Sequence, residues 1–266
     1  MMKRAAVLVA LVLAFGCATT MAPTVPPAAR AELAPTGKLR VGLIAVNPIF
    51  VTPNTPPGVT RGVAVDIARA LAKRIDVPME ALRYPTVGAM VEAAGKGEWD
   101  IAFLVIDPER AAAMNFTAPY MYSENTFLVP AGSTARGIGD LDRSGRTIAV
   151  FARSAQEIWL RNNAKSATLV SATSPAAAFQ MLKEGKVDAV ASVASLLAEG
   201  AKQVPASRVL PTSFVDSPIG MAVAKMRPAA LAYAYEFIED VKASGAVREA
   251  IAREGLVGVR AATPAR

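Results

Sequence analysis

The 266-residue sequence contains no histidine and a single cysteine, Cys17. Without histidine the chain cannot build a Ser-His-Asp or Cys-His catalytic arrangement, and it lacks the commonest metal-binding side chain. One cysteine excludes a thiolate cage for a metal. Asp, Glu or Lys could still act alone, but Glu98 and Asp100 lie beside a predicted strand start and are interpreted as surface charges. We therefore expect no metal and no cofactor.

Aromatic residues make up only 6% of the chain, and no phosphate-binding glycine loop of the P-loop kind is present. The 29 basic residues outnumber the 22 acidic ones, giving a net charge of +7, but they are spread along the sequence, and only 3–4 and 73–74 are adjacent. Nucleic-acid binding usually needs a basic face or a platform of stacking aromatics. The sequence therefore argues against a nucleic-acid partner, and its positive charge would help to attract an anionic solute.

The N-terminus indicates export. Basic residues precede a short apolar run, 5–16, which ends at Cys17. This arrangement is typical of a secretory signal, and the run is short for a membrane span. The four residues that end at Cys17 resemble a bacterial lipobox, so we expect 1–17 to be a signal peptide ending at a lipidated cysteine. The alternative is an ordinary signal cut further on, which would discard Cys17.

Residues 18–37 are rich in proline and alanine and show no apolar periodicity. This composition predicts a tether rather than part of a core.

After residue 37 the chain alternates short apolar runs with helical periodicity, which predicts an α/β fold with mostly parallel sheets. This part of the chain is longer than one typical domain. The apolar run 127–129 predicts one strand that crosses between lobes, and we expect the chain to cross back from Phe214. We expect lobe one at 38–129 with 215–257, lobe two at 130–213, and a tail at 258–266.

The most informative segment is 99–120. Residues 101–106 form an unbroken apolar run, the pattern of a buried parallel strand. Residues 107–109 then supply an N-cap aspartate, a proline for the first helical position and a first-turn acid. Arg110 follows in that first turn, where the helix dipole favours anions. It could pair with its acidic neighbours at the surface, or its guanidinium could bind a ligand carboxylate in the crevice beyond the strand. Spacing alone leaves both interpretations open.

The segment resembles the signature of the family-3 periplasmic solute-binding proteins, the receptors of amino-acid ABC importers. The resemblance is carried by Asp107-Pro108-Glu109-Arg110 and by Asn115-Phe116-Thr117-Ala118-Pro119-Tyr120. Four further stretches match in order and spacing: 38–42, 61–68, 145–150 and 184–190. The resemblance implies a two-lobed periplasmic-binding-protein fold. In that α/β fold each lobe is a mostly parallel sheet flanked by helices, and two crossing strands join the lobes and allow closure on a ligand.

The same resemblance implies where a ligand binds. Arg110 is expected to hold a ligand carboxylate, and Asn47 and Phe50 stand where the family has an aromatic contact. Phe50 could equally belong to the core, since most aromatics serve packing. The other expected ligand-binding positions are Leu104 and Val105 in lobe one, and Arg153, Ser154, Ala155 and Val193 in lobe two. The family usually has a glycine and two hydroxyl residues at 153–155, so Arg153 and Ala155 depart from its pattern.

Two further departures concern the partners of the ligand's charged groups. Val105 replaces a hydroxyl residue that helps to hold the carboxylate, and Val193 replaces the acid that holds the ligand ammonium. Leaving a buried charge without its partner costs about 2–5 kcal/mol. The acid could come from elsewhere in the chain, for which the candidates are Glu124, Glu157 and Asp216. A carboxylate-bearing solute that lacks an α-ammonium group fits the pattern better.

The resemblance and the missing catalytic residues together predict a non-enzymatic receptor. We expect a lipid-anchored, monomeric periplasmic protein that closes on a small carboxylate-bearing solute, either amino-acid-like or an organic acid. It would present this solute to an ABC permease in the inner membrane. One alternative is an enzyme on the same scaffold, similar to cyclohexadienyl dehydratase. Another is a sensor subunit whose closed form signals to a membrane partner.

Overall fold

The structure, a computed structural model, describes residues 24–45, 47–53 and 59–265, so the predicted signal peptide and Cys17 lie outside the described residues. None of the described helices combines the length and the apolar character needed to cross a bilayer. The helices are α1 Pro27–Leu33, α2 Val63–Arg74, α3 Val87–Gly95, α4 Pro108–Ala113, α5 Ile138–Leu141, α6 Ala155–Asn163, α7 Pro175–Lys183, α8 Ala194–Gln203, α9 Pro228–Ala243 and α10 Ala246–Arg253. The strands are β1 Leu39–Ile44, β2 Met79–Tyr84, β3 Ile101–Val105, β4 Met114–Phe116, β5 Met121–Pro130, β6 Thr147–Phe151, β7 Thr168–Ala172, β8 Ala189–Val193, β9 Ser207–Val209, β10 Val215–Ala224 and β11 Val259–Ala261.

Two parallel groups of strands flank two long antiparallel strands. The main sheet order is β2-β1-β3-β10-β5-β8-β6-β7. Strands β2, β1 and β3 are parallel to one another, as are β8, β6 and β7. The first half of β5 pairs antiparallel with β10, and its second half pairs with β8, so β5 passes from one group to the other. This confirms the α/β, two-lobed fold class predicted from the sequence, with two strands crossing between the lobes.

Separate apolar clusters stabilise the two groups of strands. One cluster packs α2 and α9 against β1, β3 and β10. In the second group the cores lie on both faces of the sheet, because side chains alternate along a strand. Ile148 and Val150 of β6 enter one cluster, whereas Ala149 between them enters the other. Burial on both faces explains the continuous apolar run of β6.

The predicted tether is wrong in its second half, because Pro27–Leu33 is a helix that packs against α9. Ala29 and Leu33, four residues apart on one helix face, are buried in the lobe-one core. The carboxylate of Glu32 accepts a hydrogen bond from the first turn of α9, and its carbonyl accepts one from Arg227 Nη1 at 2.9 Å. The proline-rich composition concealed a helix because proline is tolerated in the first turn.

The predicted tail is also wrong for residues 259–261, which form β11 and pair antiparallel with β5. The turn before this strand requires glycine. Gly258 has a φ of +64°, and a Cβ atom added there would lie 2.6 Å from the Cβ of Ala194 on α8. The chain end therefore belongs to the central sheet, close to where the two groups of strands meet.

The surface interpretation of Asp100 is wrong, although Glu98 is exposed as expected. The Asp100 side chain is fully buried and lies between two arginines. Arg40 binds it through Nε at 3.0 Å and Nη2 at 2.8 Å, and Arg227 Nη1 donates at 2.7 Å. Both arginines are distant in sequence, so a local pattern could not reveal this cluster.

Candidate functional site

One cavity, of about 170 Å³, lies where the carboxyl ends of all six parallel strands converge. This is the position where open α/β sheets bind ligands. The cavity is lined by the last residues of these strands and by the residues that follow them. They are Ile44, Asn47, Ile49 and Phe50 at the end of β1; Pro85, Thr86 and Val87 at the end of β2; Leu104, Val105 and Arg110 at the end of β3; Phe151, Ala152, Ser154, Ala155 and Gln156 at the end of β6; Ala172, Thr173, Ser174 and Pro175 at the end of β7; and Ser192, Val193 and Leu196 at the end of β8.

Arg110 lines this cavity and is only 4% exposed, so it does not lie at the surface, although it does pair with its acidic neighbour Asp107 as that alternative expected. Its Nη1 donates to the carbonyl of Val105 at 3.1 Å, and its Nη2 donates to the carbonyl of Arg153 at 3.1 Å. Asp107 Oδ2 lies 2.8 Å from Nη1. Burial lowers the pKa of Arg110, and the charge of Asp107 opposes this shift. The ordinary pKa of arginine is so high that the group stays a cation at neutral pH.

The local sequence positions Arg110 as predicted. Asp107 is the N-cap of α4, and its Oδ1 accepts a hydrogen bond from the Arg110 backbone N–H at 2.9 Å. Pro108 occupies the first helical turn. Among the described residues, the carbonyls of Val105 and Arg153 and the Oδ2 of Asp107 engage three of the five guanidinium N–H groups, so two donors remain for a ligand.

Arg153 is the one candidate residue that does not line the cavity. Its φ of +61° lies in the left-handed region that favours glycine, the residue the family resemblance implies at this position. Its carbonyl accepts from Arg110, whereas its side chain leaves the cavity and pairs with Glu92 of α3 at 3.2 Å. Arg110 and Arg153 therefore make two contacts between the lobes beside the cavity.

The structure brings the other eight candidates together, since Asn47, Phe50, Leu104, Val105, Arg110, Ser154, Ala155 and Val193 all line the cavity. Phe50 both lines the cavity and packs in the lobe-one core, so its two predicted positions are compatible. Ser154 is the N-cap of α6, and its Oγ accepts from the Glu157 N–H at 3.1 Å. That any of these residues binds a ligand remains a prediction.

Several polar lining residues were missed by sequence reasoning. Thr86 and Ser174 are the N-caps of α3 and α7, and each hydroxyl oxygen accepts a backbone N–H at 3.1 Å. A cap residue that directly follows a parallel strand was the signal that could have found them. No local sequence signal indicates Gln156. Its side-chain amide donates to Asn125 on the crossing strand β5, and the two residues meet only because the chain folds. The remaining ones are Thr173 and Ser192.

No acidic side chain appears among the described residues that line the cavity. Glu157 instead accepts from the Arg153 backbone N–H at 2.6 Å, and Asp216 pairs with Arg260 at 3.3 Å. Glu124 does not line the cavity either. The part of the chain outside the description contains no Asp or Glu. Within the described part, no group of three or more His, Cys, Asp or Glu residues is arranged to hold a metal ion.

Two α/β lobes, two crossing strands and an interlobe cavity lined by a buried arginine define a two-lobed ligand-binding protein. The chain belongs to the bacterial extracellular solute-binding proteins, family 3, whose sequence model matches residues 39–253. This confirms the family resemblance inferred from the sequence motifs.

Named relatives agree with this assignment. The chain is 31% identical over 193 residues to the glutamine-binding protein of Geobacillus stearothermophilus, covering 71% of this chain and 73% of the relative. It is 26% identical over 192 residues to the ABC transporter glutamine-binding protein GlnH of Bacillus subtilis, covering 71% and 70%. Among solved structures, the ancestral amino acid-binding protein AncCDT-1, a precursor of cyclohexadienyl dehydratase, superposes with a TM-score of 0.73 at 26% identity, covering 84% and 97%.

Proposed function

We propose that this protein is an extracytoplasmic receptor that closes on a small carboxylate-bearing solute and delivers it to an ABC permease. Membership of the solute-binding family and the named ABC transporter relative support the receptor role. The observation that carries the solute class is Arg110, a buried cation with free donors at the meeting point of the two lobes. Guanidinium groups bind carboxylates through two parallel hydrogen bonds, which gives both affinity and orientation.

The cavity favours binding over catalysis. An elimination or hydrolysis needs a positioned general acid or base, usually His, Asp, Glu, Lys, Tyr or Cys. None of these residue types occurs among the described lining residues. Arginine stays protonated and serves poorly as a base. A dehydratase-like activity therefore has no candidate catalytic residue in this cavity. Genes for a permease and an ATPase beside the gene for this protein would favour an importer component over a sensor.

Ligand binding is expected to compact the molecule. The contacts of Arg110 with Arg153 and of Arg153 with Glu92 join the lobes, which supports a closed arrangement in the described residues. In solution the empty receptor should open about its crossing strands. Small-angle X-ray scattering should show a smaller radius of gyration when a bound organic or amino acid saturates the protein. Identical scattering with and without that solute would contradict closure on a ligand.

Anchoring to the membrane depends on Cys17 under this proposal. Cys17→Ala should abolish acylation and leave either a released protein or an unprocessed precursor. Membrane fractionation and mass spectrometry of the N-terminus would measure both. A mature N-terminus downstream of Cys17 in the natural protein would show that an ordinary signal peptidase removes the cysteine.

A further inference from the structure

Four helices begin at the cavity, each with its N-cap residue in the lining. The caps are Thr86 for α3, Ser154 for α6, Ser174 for α7 and Val193 for α8. Each helix has at least nine residues and presents the positive end of its dipole there. Together with Arg110 they favour an anion in the cavity, although Asp107, which is not a lining residue, offsets part of the charge of the guanidinium.

The polar lining is also rich in donors. The hydroxyl oxygens of Thr86, Ser154 and Ser174 accept backbone N–H groups of their own helices. Each hydroxyl therefore keeps its O–H to donate to a ligand. Such a set can donate to the acceptors of a solute, whereas to an ammonium group it offers only the remaining neutral lone pairs and no negative charge.

A cationic group on the solute would find no counter-charge. None of the described lining residues is Asp or Glu, and the undescribed part of the chain contains neither. The remaining walls are apolar, formed by Ile44, Ile49, Phe50, Leu104 and Phe151. At about 170 Å³ the cavity is smaller than the roughly 300–1,000 Å³ typical of drug-sized ligands, so the solute is small.

We infer that the solute is a small carboxylate anion with a neutral body, without the ammonium group of an α-amino acid. This inference deepens the proposed receptor function and rests on it. An amino acid in this cavity would bury its ammonium without a partner. Losses of this kind weaken binding by about 30-fold to several thousand-fold.

The test compares acids that share a carbon skeleton and differ in the α-ammonium. Isothermal titration calorimetry on the mature protein would use glutamine with 4-carbamoylbutanoate, leucine with 4-methylpentanoate, and alanine with propanoate. We expect binding of at least one acid without the ammonium, and binding of its amino acid that is at least about 30-fold weaker. Equal or tighter binding of the amino acid in every pair that binds would overturn the inference and leave the receptor function intact. The neutral amides of the three acids would be titrated in parallel. Binding of none of the six carboxylates, with or without binding of an amide, would count against both the inference and the proposed solute class.

Substitution of Val193 provides a second test, in which the protein should gain affinity for an amino acid. It is 2% exposed and caps α8 without a side-chain hydrogen bond, and aspartate is favoured at N-caps. Val193→Asp should raise affinity for the amino acid of the pair and lower affinity for its counterpart. Val193→Asn has a similar shape and capping ability but no charge, so it should not shift the preference towards amino acids. Equal behaviour of the two variants would show that the missing charge does not decide the preference, and would count against the inference.

Discussion

Arg110→Ala is expected to weaken binding of a carboxylate solute by about 30-fold to several thousand-fold. The substitution would leave the solute carboxylate in an enclosed cavity without its only cationic partner among the described lining residues. Arg110→Lys should also bind poorly, because an ammonium is a point charge that cannot reproduce the planar fork. Calorimetry with the tightest-binding carboxylate from the matched pairs would measure both losses.

The same substitution is expected to destabilise the fold, because Arg110 is buried rather than exposed. The carbonyls of Val105 and Arg153 would lose their donor, and Asp107 would lose its buried counter-charge. Unsatisfied buried groups cost about 1–3 kcal/mol each. Thermal unfolding of the ligand-free protein would detect the change.

Arg161→Ala, which removes an exposed arginine of lobe two, is the matched control and should alter neither solute affinity nor stability. Unchanged solute affinity in Arg110→Ala would show that the family site does not apply to this chain.

Local features around Arg110 were predictable from sequence because they depend on neighbouring residues. The buried strand, the N-cap at Asp107 and the helix starting at Pro108 all follow from contiguous side chains and backbone hydrogen bonds. The burial of Arg110 was not predictable in the same way. It depends on lobe two approaching closely enough for the Arg153 carbonyl to accept from the guanidinium.

The residues that line the cavity were also only partly predictable from the sequence. Family positions placed eight of the nine candidate residues in its lining, because aligned motifs preserve where each strand ends. Arg153 was misplaced, since an arginine in the left-handed backbone region directs its side chain to Glu92 instead of the cavity. Helix α1 was missed for another reason. Its two buried residues, Ala29 and Leu33, gain their partner from α9, about 200 residues later in the chain.

Asp100→Ala is expected to cause the largest loss of stability among the substitutions considered. Asp100 is fully buried and is held by hydrogen bonds from Arg40 and Arg227. Removing one partner of a buried ion pair costs about 3–5 kcal/mol, because the remaining charges stay desolvated without compensation. Here two guanidinium groups would be left, and Arg227 also donates to Glu32 of α1. Loss of the carboxylate should therefore loosen the N-terminal helix as well as the core.

Urea denaturation of the mature protein would measure this loss as a lower midpoint. Glu98→Ala is the matched control, because Glu98 is exposed two residues earlier and should change stability by at most about 0.5 kcal/mol. Asp100→Asn keeps the shape and some hydrogen bonding, so its loss should exceed that of the control. The cluster lies outside the cavity, and solute affinity of the folded fraction should remain that of the natural protein. Equal midpoints for Asp100→Ala and Glu98→Ala would mean that the two arginines find other partners, and that the buried carboxylate does not hold α1 to the core.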